Sequence, residues 1–378
     1  MVAGVLALLE KKDTVNLCLP GGRTLCIAIA SRTDEEAVVV KDAGDDPDVT
    51  DRIRIHVRFF TPAFTDNAEN NPADPRDILL QSPHFKVILH ADSGIGLVKS
   101  PGLSATPGKW AINPGPCRIL LNNLELFYAR NSSFSSGTLK SPAILGIGVS
   151  AENGEETALR TLNPKVGIIG GISILGNTGI VTPYSNAAYA ETIRLELKTA
   201  ALRGEKRVCF TTGARTDQAV QAMFQDNEPV IRIADFIGHA LRCAVMLRYQ
   251  EITVACMPGK LFKYACGYDN THAHLREMDL ARIRDFPIPL PDGFDPVICH
   301  TVGEFLQKIP PETLSASLTV FAEEAWKSLW RIMEKCGKNL QDTHLQILVF
   351  QEDGTNLLNA DESGVHLKIS GKTDRTYA

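Results

Sequence analysis

After Arg207 the chain alternates between short apolar runs and amphipathic stretches, and few architectures accommodate that order. The pattern predicts strands over residues 208–212, 230–234 and 252–257, separated by helices over residues 216–224 and 236–247. Strand–helix–strand order with short connections is typical of a parallel sheet covered by helices. The sequence therefore predicts a small α/β domain with a parallel sheet over residues 205–378. A long amphipathic helix over residues 313–336 and a strand over residues 345–350 extend it.

A ligand of such a domain binds at the carboxyl ends of the parallel strands. Gly213, Asp235 and Lys260 follow the three predicted strands, so we expect them at the same sheet edge. Lys263 lies three residues after Lys260, and the two ammonium groups therefore share one helix face. That face either neutralises carboxylates of a ligand or is a solvated helical surface.

The first half of the chain is richer in strands. The sequence predicts a hairpin over residues 14–30 around a Pro-Gly-Gly turn, and further strands over residues 37–40, 53–60, 85–90 and 144–149. A helix over residues 185–203, followed by Gly204, is expected to end this part of the chain. We therefore predict an α+β first domain over residues 1–204.

Composition excludes several classes of protein. The 378 residues carry a net charge of −5, which argues against nucleic-acid binding through a chain-wide basic field. No apolar run reaches the ~18 residues of a membrane span. Nine cysteines, an odd number without a Cys-x-x-Cys pair, predict reduced thiols in a cytoplasmic protein and no protein-bound metal. The opening residues carry no export signal. Whether the chain works alone or as a homo-oligomer stays open.

Two segments have the composition of ligand-binding loops. Residues 41–48 hold Asp42, Asp45 and Asp46, which would accept hydrogen bonds from ribose hydroxyls or an amine, or form a solvated turn. Residues 167–179 hold five glycines without a phosphate-binding fingerprint. Their backbone either approaches a ligand closely or makes a tight crossing in the core.

The histidine pair at positions 272 and 274 lacks metal-ligand spacing. His272 is the best proton-handling candidate of the chain, and the alternative is a solvent-facing loop histidine. No nucleophile elbow is present. Hydrolysis by a catalytic triad therefore has no support.

Six segments, in order, resemble blocks of the CbiD family, whose members act as cobalt-precorrin-5B C(1)-methyltransferases in anaerobic cobalamin biosynthesis. They are KDAGDDPDVT at residues 41–50, Gly102 followed by AINP at residues 111–114, the segment at residues 161–185, ADFIG at residues 234–238, GKLFK at residues 259–263 and NTH at residues 270–272. The resemblance covers residues 10 to 275. It implies an α+β first domain related by permutation to the ribosomal-S5-domain-2-like fold, from which the family's N-terminal segment is missing here.

The resemblance implies transfer of a methyl group from S-adenosyl-L-methionine to C-1 of cobalt-precorrin-5B, with cobalt present only within the tetrapyrrole substrate. The expected roles are catalysis by His272, and binding of the methyl donor by Asp42, Asp45, Asp46, Gly213 and Asp235. Residues expected to bind the substrate are Gly170, Gly171, Gly176, Thr178, Gly179, Ser185, Lys260, Lys263 and Arg118.

Several positions depart from the family pattern. Cys117 is an extra residue before Arg118, and Glu277 and Asp279 replace an Asp and an Arg of the family. These departures leave the resemblance standing but keep an alternative open, a catalytically impaired tetrapyrrole-binding or scaffold protein of the same pathway. A nicotinamide-dependent oxidoreductase is a third hypothesis, weakened because no Gly-x-Gly-x-x-Gly follows a predicted strand.

Overall fold

The computed structural model describes residues 1–44, 48–64, 72–131, 142–181, 185–223, 229–272, 279–337 and 339–368. The chain divides into two compact units, Met1–Ser185 and Asn186–Ala378. This division lies before the helix that the sequence placed at the end of a first domain over residues 1–204. The difference has a physical reason, because Ile193 and Leu197 of that helix are buried in the hydrophobic core of the second unit.

The first unit is built on a mixed sheet. Its helices and strands are α1 (Val2–Glu10), β1 (Thr14–Cys18), β2 (Thr24–Ala28), β3 (Ser31–Arg32), β4 (Glu36–Val40), β5 (Arg54–Phe60), β6 (Ile78–Gln81), β7 (Phe85–Ala91), β8 (Gly94–Ile95), β9 (Leu97–Val98), α2 (Pro114–Arg130), β10 (Ala143–Ala151), α3 (Gly154–Ala158), α4 (Asn163–Val166), β11 (Ile168–Ile169) and β12 (Gly171–Ile172). The sheet order is β3-β4-β5-β10-β7-β6. Strand β10 runs parallel to β7 and antiparallel to β5.

One face of this sheet supplies the core of the first unit. Alternate residues of β5 and β10, such as Val57 and Ile147, are fully buried, and they belong to the same cluster as Leu6 of α1 and Leu120 of α2. The predicted hairpin is confirmed as the antiparallel pair β1–β2. The four further predicted strands are confirmed as β4, β5, β7 and β10. Alternating and continuous apolar runs thus located the strands, since β5 alternates between buried and less buried residues and β7 is buried on both faces.

The second unit contains the predicted parallel sheet. Its elements are α5 (Asn186–Leu202), β13 (Arg207–Thr211), α6 (Ala214–Met223), β14 (Val230–Arg232), α7 (Ile237–Met246), β15 (Glu251–Cys256), α8 (Pro258–Ala265), α9 (Val302–Lys308), α10 (Pro311–Glu334), β16 (His344–Phe350), β17 (Asn356–Asp361) and β18 (Gly364–Leu367), with short 3-10 helices at Leu280–Asp285 and Pro296–Ile298. The strand order is β14-β13-β15-β16-β17-β18. The first four strands are parallel, and β17 and β18 add an antiparallel edge.

Helices cover both faces of this second sheet. Val220 of α6 packs with Cys209, Ala255 and Leu348 on one face. Helices α5, α7, α8 and α10 pack into a larger cluster on the other face. When helices cover both faces, the connections from neighbouring strands pass to opposite faces of the sheet. A crevice then forms between them at the carboxyl ends of the strands, and ligands bind there. Among the described helices, none is long and apolar enough to cross a lipid bilayer.

Candidate functional site

The strand order of the second unit creates a topological switch point. Strand β13 continues through α6 to β14 on one side, whereas β15 lies on the other side of β13 and is followed by β16. The segments after β13 and β15 therefore diverge at the carboxyl edge of the sheet. Crevices at such points bind ligands in doubly wound sheets, so this edge is the principal candidate site.

The turn after β13 is closed by a threonine of α6. The hydroxyl oxygen of Thr216 accepts hydrogen bonds from the backbone N–H groups of Thr212 and Gly213, both at 3.0 Å. The same hydroxyl donates a hydrogen bond to the carbonyl oxygen of Gly213 at 2.8 Å. A Cβ atom added at Gly213 would meet no atom within 4 Å. The turn thus has open space beside it, but its backbone donors are already engaged.

A carboxylate occupies the first turn of α6. Asp217 accepts a hydrogen bond from the hydroxyl of Thr211 and forms an ion pair with Arg232 at the end of β14. Its charge complements the positive end of the helix dipole. A phosphate would meet this negative charge and the engaged N–H groups of the preceding turn. The geometry therefore disfavours a phosphate at this helix terminus.

The segment after β14 meets α8 through a polar cluster. Lys260 forms an ion pair with Asp235 and donates a hydrogen bond to the hydroxyl of Thr271 at 2.6 Å. That hydroxyl donates to Asp235 at 2.7 Å. Burial alone would raise the pKa of Asp235, but hydrogen bonds from Lys260 and Thr271 hold it below its usual value. Asp235 is therefore an ionised, firmly held carboxylate.

Lys263 contacts the same segment from the next turn of α8. Its ammonium donates to the carbonyl of Thr271 at 2.8 Å, and only 8% of the residue is exposed. Burial lowers the pKa of Lys263. The N–H of His272 donates to the side chain of Asn270 at 2.9 Å, which closes a local turn. We call Asp235, Lys260, Lys263 and Thr271 the Thr271 clamp.

The structure thus brings four of the predicted residues, Asp235, Lys260, Lys263 and His272, into one local cluster. Their mutual contacts qualify the expected roles. The lysines were expected to receive substrate carboxylates, yet both hold the segment that carries His272. Sequence reasoning missed Thr271 because its significance lies in contacts with residues 8 to 36 positions away.

In the first unit, three glycine-containing segments lie side by side. Strand β12 pairs with β8, and β11 pairs with β9. The N–H of Asn113, immediately before α2, donates to the carbonyl of Ile174 at 2.9 Å. We call residues 94–98, 111–116 and 167–179 together the glycine crossing.

Glycines of the crossing serve two purposes. A Cβ atom at Gly171 would lie 2.4 Å from the backbone of Gly94, so absence of a side chain permits this packing. Gly170 and Gly176 have φ angles of 76° and 109° and open space around them. The interpretation as a tight crossing therefore applies to Gly171. At Gly170 and Gly176, glycine is favoured because the φ angle is positive. A Cβ atom added at Gly179 would lie 2.6 Å from the side chain of Leu19.

A family model described as CbiD matches residues 1–183. Cobalt-precorrin-5B C(1)-methyltransferase from Picrophilus torridus is 37% identical over 284 residues, 73% of this chain and 74% of that relative. The protein of the same name from Pelobacter propionicus is 33% identical over 309 residues, 73% and 72% of the two chains.

The chain belongs to the CbiD family. A further relative of the same name, from Variovorax paradoxus, is 36% identical over 296 residues, 77% of this chain and 73% of that relative. A crystal structure titled cobalamin biosynthesis protein (cbiD) from Archaeoglobus fulgidus is 24% identical, covers 70% of this chain and 76% of that chain, and has a TM-score of 0.35. The CbiD model ends before α5, so the Thr271 clamp lies beyond the residues it matches.

The remaining candidates belong to the first unit of this CbiD-family chain. Asp42 is exposed and accepts a hydrogen bond from the N–H of Gly44 at 2.9 Å, as in a local turn. Asp45 and Asp46 lie outside the described residues. Arg118 is exposed near the start of α2. Thr178 is exposed and Ser185 is half-buried.

A second polar cluster was not predicted. Asp77, only 5% exposed, accepts hydrogen bonds from the indole N–H of Trp110 at 3.0 Å and faces Nδ1 of His90 at 2.7 Å. Oxygens of Asp74 and Asp77 and a nitrogen of His90 lie within 4.8 Å of one another. Arg76 already pairs with Asp74, so neighbouring donors account for these carboxylates. These residues share no motif spacing that sequence reasoning would detect.

Proposed function

We propose that this chain is an S-adenosyl-L-methionine-dependent methyltransferase that methylates C-1 of cobalt-precorrin-5B to give cobalt-precorrin-6A in anaerobic cobalamin biosynthesis. The observation that carries the proposal is its likeness to relatives named for this methyl transfer, at 33–37% identity over more than 70% of both chains. Cobalt enters within the substrate, so the chain needs no metal centre of its own for this reaction.

The chemistry is compatible with the residues present. A carbon of the macrocycle attacks the methyl group in line with the methyl–sulfur bond, which breaks as S-adenosylhomocysteine leaves, and no covalent enzyme intermediate is required. The protein must hold the two reactants in alignment, which supplies ~7–11 kcal/mol of the barrier. We propose that His272 accepts the proton released during methylation, supported by its position beside the ionised Asp235.

We propose that the methyl donor binds at the carboxyl edge of the second unit beside Gly213. The donor is a nucleoside without phosphate, and the engaged donors of Thr212 and Gly213 suit that chemistry better than a dinucleotide. This argues against the nicotinamide hypothesis. Asp235 holds Lys260 and Thr271 in place at this edge. We keep Asp42, Asp45 and Asp46 as candidates to accept hydrogen bonds from the hydroxyl and amine groups of the donor.

For the polycarboxylate substrate, we propose contacts from the glycine crossing and from Arg118. Gly170 and Gly176 offer backbone beside open space, with Gly171, Thr178, Gly179 and Ser185 in or near the same segment. Lys260 retains 25% side-chain exposure and stays a candidate for a substrate carboxylate. Lys263 was expected to share this role, but it is buried and donates a hydrogen bond to the Thr271 carbonyl.

Finer features of the prediction also stay proposals. A permuted ribosomal-S5-like first domain is compatible with the mixed sheet covered by α1 and α2. A cytoplasmic location agrees with nine free cysteines. Assembly into a homo-oligomer stays open, and neither a nucleic-acid nor a membrane partner is proposed.

The test is incubation of cobalt-precorrin-5B with the purified chain and S-adenosyl-L-methionine carrying a ¹³C-methyl group. We expect mass spectrometry to find one labelled methyl group in the tetrapyrrole, and NMR to place it at C-1. Tetrapyrrole binding without label transfer, from a folded chain, would contradict the proposal. It would favour the impaired-binding or scaffold alternative.

A further inference from the structure

Thr271 is held at every polar atom. Its N–H donates to the carbonyl of Asp235 at 3.1 Å, and its hydroxyl donates to the Asp235 carboxylate while accepting from Lys260. Its carbonyl accepts from the ammonium of Lys263. The residue is only 1% exposed. Lys263 is itself buried, and burying an ammonium group is costly unless it is hydrogen-bonded, so its bond to the Thr271 carbonyl is needed at this position.

The neighbouring backbone is fixed as well. Asn270 accepts the N–H of His272, and the carbonyl of Asp269 accepts the N–H of Gly238 at 2.8 Å. A Cβ atom at Gly238 would lie 2.8 Å from that same carbonyl, so this contact with α7 requires a residue without a side chain. The segment up to His272 is therefore fastened to α7 and to α8.

We propose that Thr271 and Lys263 are positioning residues, which fix the backbone from which His272 extends and do not contact the substrate themselves. This inference rests on the proposed function and deepens it by assigning Lys263 a role other than carboxylate binding. The buried Lys263 ammonium donates a hydrogen bond to the Thr271 carbonyl. The Thr271 hydroxyl accepts a hydrogen bond from Lys260 and donates one to Asp235. A proton acceptor with a fixed backbone stays aligned with the reacting carbon, and methyl transfer depends on such alignment.

The first test uses two matched pairs of variants. Thr271→Val removes the hydroxyl and keeps the shape, and Thr271→Ser retains the hydroxyl. Lys263→Met removes the charge, and Lys263→Arg retains it. We expect Thr271→Val and Lys263→Met to lower kcat of methyl transfer by ~10–100-fold, part of the usual contribution of a general base. The KM of both substrates should stay within about twofold, and the conservative variants should restore most of kcat.

A double-mutant cycle separates positioning from a general structural role. If Thr271 acts through His272, then Thr271→Val should add less than about a twofold loss of kcat in a His272→Gln background. The same loss in both backgrounds would overturn the proposal. A rise in KM for the tetrapyrrole with kcat unchanged would also overturn it, because Lys263 and Thr271 would then be binding residues.

A second readout does not depend on activity, so failure of the proposed function is distinguishable from failure of this inference. Absence of methyl transfer by the unaltered chain would count against the function alone. In that case amide hydrogen exchange at His272, followed by NMR, decides the positioning claim. We expect Thr271→Val to accelerate this exchange by about tenfold or more and Thr271→Ser to leave it nearly unchanged. Equal exchange in both variants would overturn the inference.

Discussion

The glycine crossing of the first unit and the Thr271 clamp of the second are both segments that the sequence marks as ligand-binding, but they are held by opposite means. In the crossing, backbones meet because side chains are absent, as between Gly94 and Gly171. In the clamp, charged side chains satisfy one another, as Lys260 and Asp235 do. A substitution in the crossing therefore acts through steric overlap, and one in the clamp acts through charge.

The contrast also shows that residues within one predicted ligand-binding motif have different roles. Gly171 is needed for packing, whereas Gly170 and Gly176 leave open space. At the carboxyl edge of the second unit, Lys263 is occupied by the Thr271 carbonyl, while Gly213 adjoins open space. Each region thus combines residues that hold the scaffold with residues beside which a ligand could lie.

The largest expected effect breaks the crossing. Gly94 has a φ of 79°, and an added Cβ atom would lie 2.0 Å from the carbonyl oxygen of Ala151. We expect Gly94→Ala to cost more than ~3 kcal/mol of unfolding free energy or to prevent folding. Gly170→Ala is the matched control, with a similar φ and no atom nearby, and should cost ~1 kcal/mol. Urea denaturation compares them, and equal costs would contradict the packing account.

A second prediction asks whether charge also stabilises the first unit. Asp77→Ala would leave the buried indole N–H of Trp110 without its acceptor and Nδ1 of His90 without its carboxylate partner. We expect a loss of ~2–4 kcal/mol of unfolding free energy. Asp77→Asn retains an acceptor oxygen and should cost about half as much. A cost below that of Gly170→Ala would show that this network is dispensable.

The third prediction concerns coupling within the clamp. Lys260→Met and Asp235→Asn should each lower the unfolding free energy by ~1–3 kcal/mol, because each leaves a half-buried partner behind. The double variant should cost less than the sum by ~1 kcal/mol. Chemical denaturation of the four proteins supplies the cycle. Additive costs would mean that the ion pair contributes nothing beyond the separate side chains.

The smallest expected effect is a pH dependence. The folded-state pKa of Asp235 lies below its usual value, so its contribution to stability is present above the unfolded-state pKa of ~3.9 and is lost as the pH falls through the folded-state pKa. Asp235→Asn should therefore lose less stability than the unaltered chain between pH 5 and about pH 2.5. Denaturant midpoints across that range measure the difference. For the control Gly170→Ala the cost should not change with pH. A curve for Asp235→Asn parallel to that of the unaltered chain would contradict the lowered pKa of Asp235.

Local patterns predicted most elements of the second unit. The helix expected over residues 313–336 is α10, Pro311–Glu334, and the strand expected over residues 252–257 is β15, Glu251–Cys256. The alternation of strands and helices also indicated which segments would meet at the carboxyl edge. These features succeed because helix periodicity and short connections are encoded within a few neighbouring residues.

Contacts between distant residues were not predictable in this way. The pairing of β10 with both β5 and β7 joins strands separated by long stretches of chain. The Asp77–His90 contact and the engagement of Lys263 with Thr271 likewise depend on how elements pack. Helix α5 was placed in the first domain because its pattern shows that one face is buried, but not which core buries it.

Calorimetric titration with S-adenosylhomocysteine tests the central claim most directly, namely that the carboxyl edge of the second unit is the methyl-donor site. Val at position 213 is compatible with the backbone, since the φ of Gly213 is outside the left-handed region, but it would fill the open space beside the turn. The matched control is Gln218→Val, an exposed position on the same helix, α6.

We expect stoichiometric binding by the unaltered chain and by Gln218→Val. Gly213→Val should weaken binding by about tenfold or more, equivalent to ~1.4 kcal/mol, with an unchanged melting temperature. Equal affinity of Gly213→Val and the unaltered chain would contradict the placement of the donor at this edge. Absence of binding by the folded, unaltered chain, with and without the cobalt tetrapyrrole, would contradict a donor site in the protein altogether.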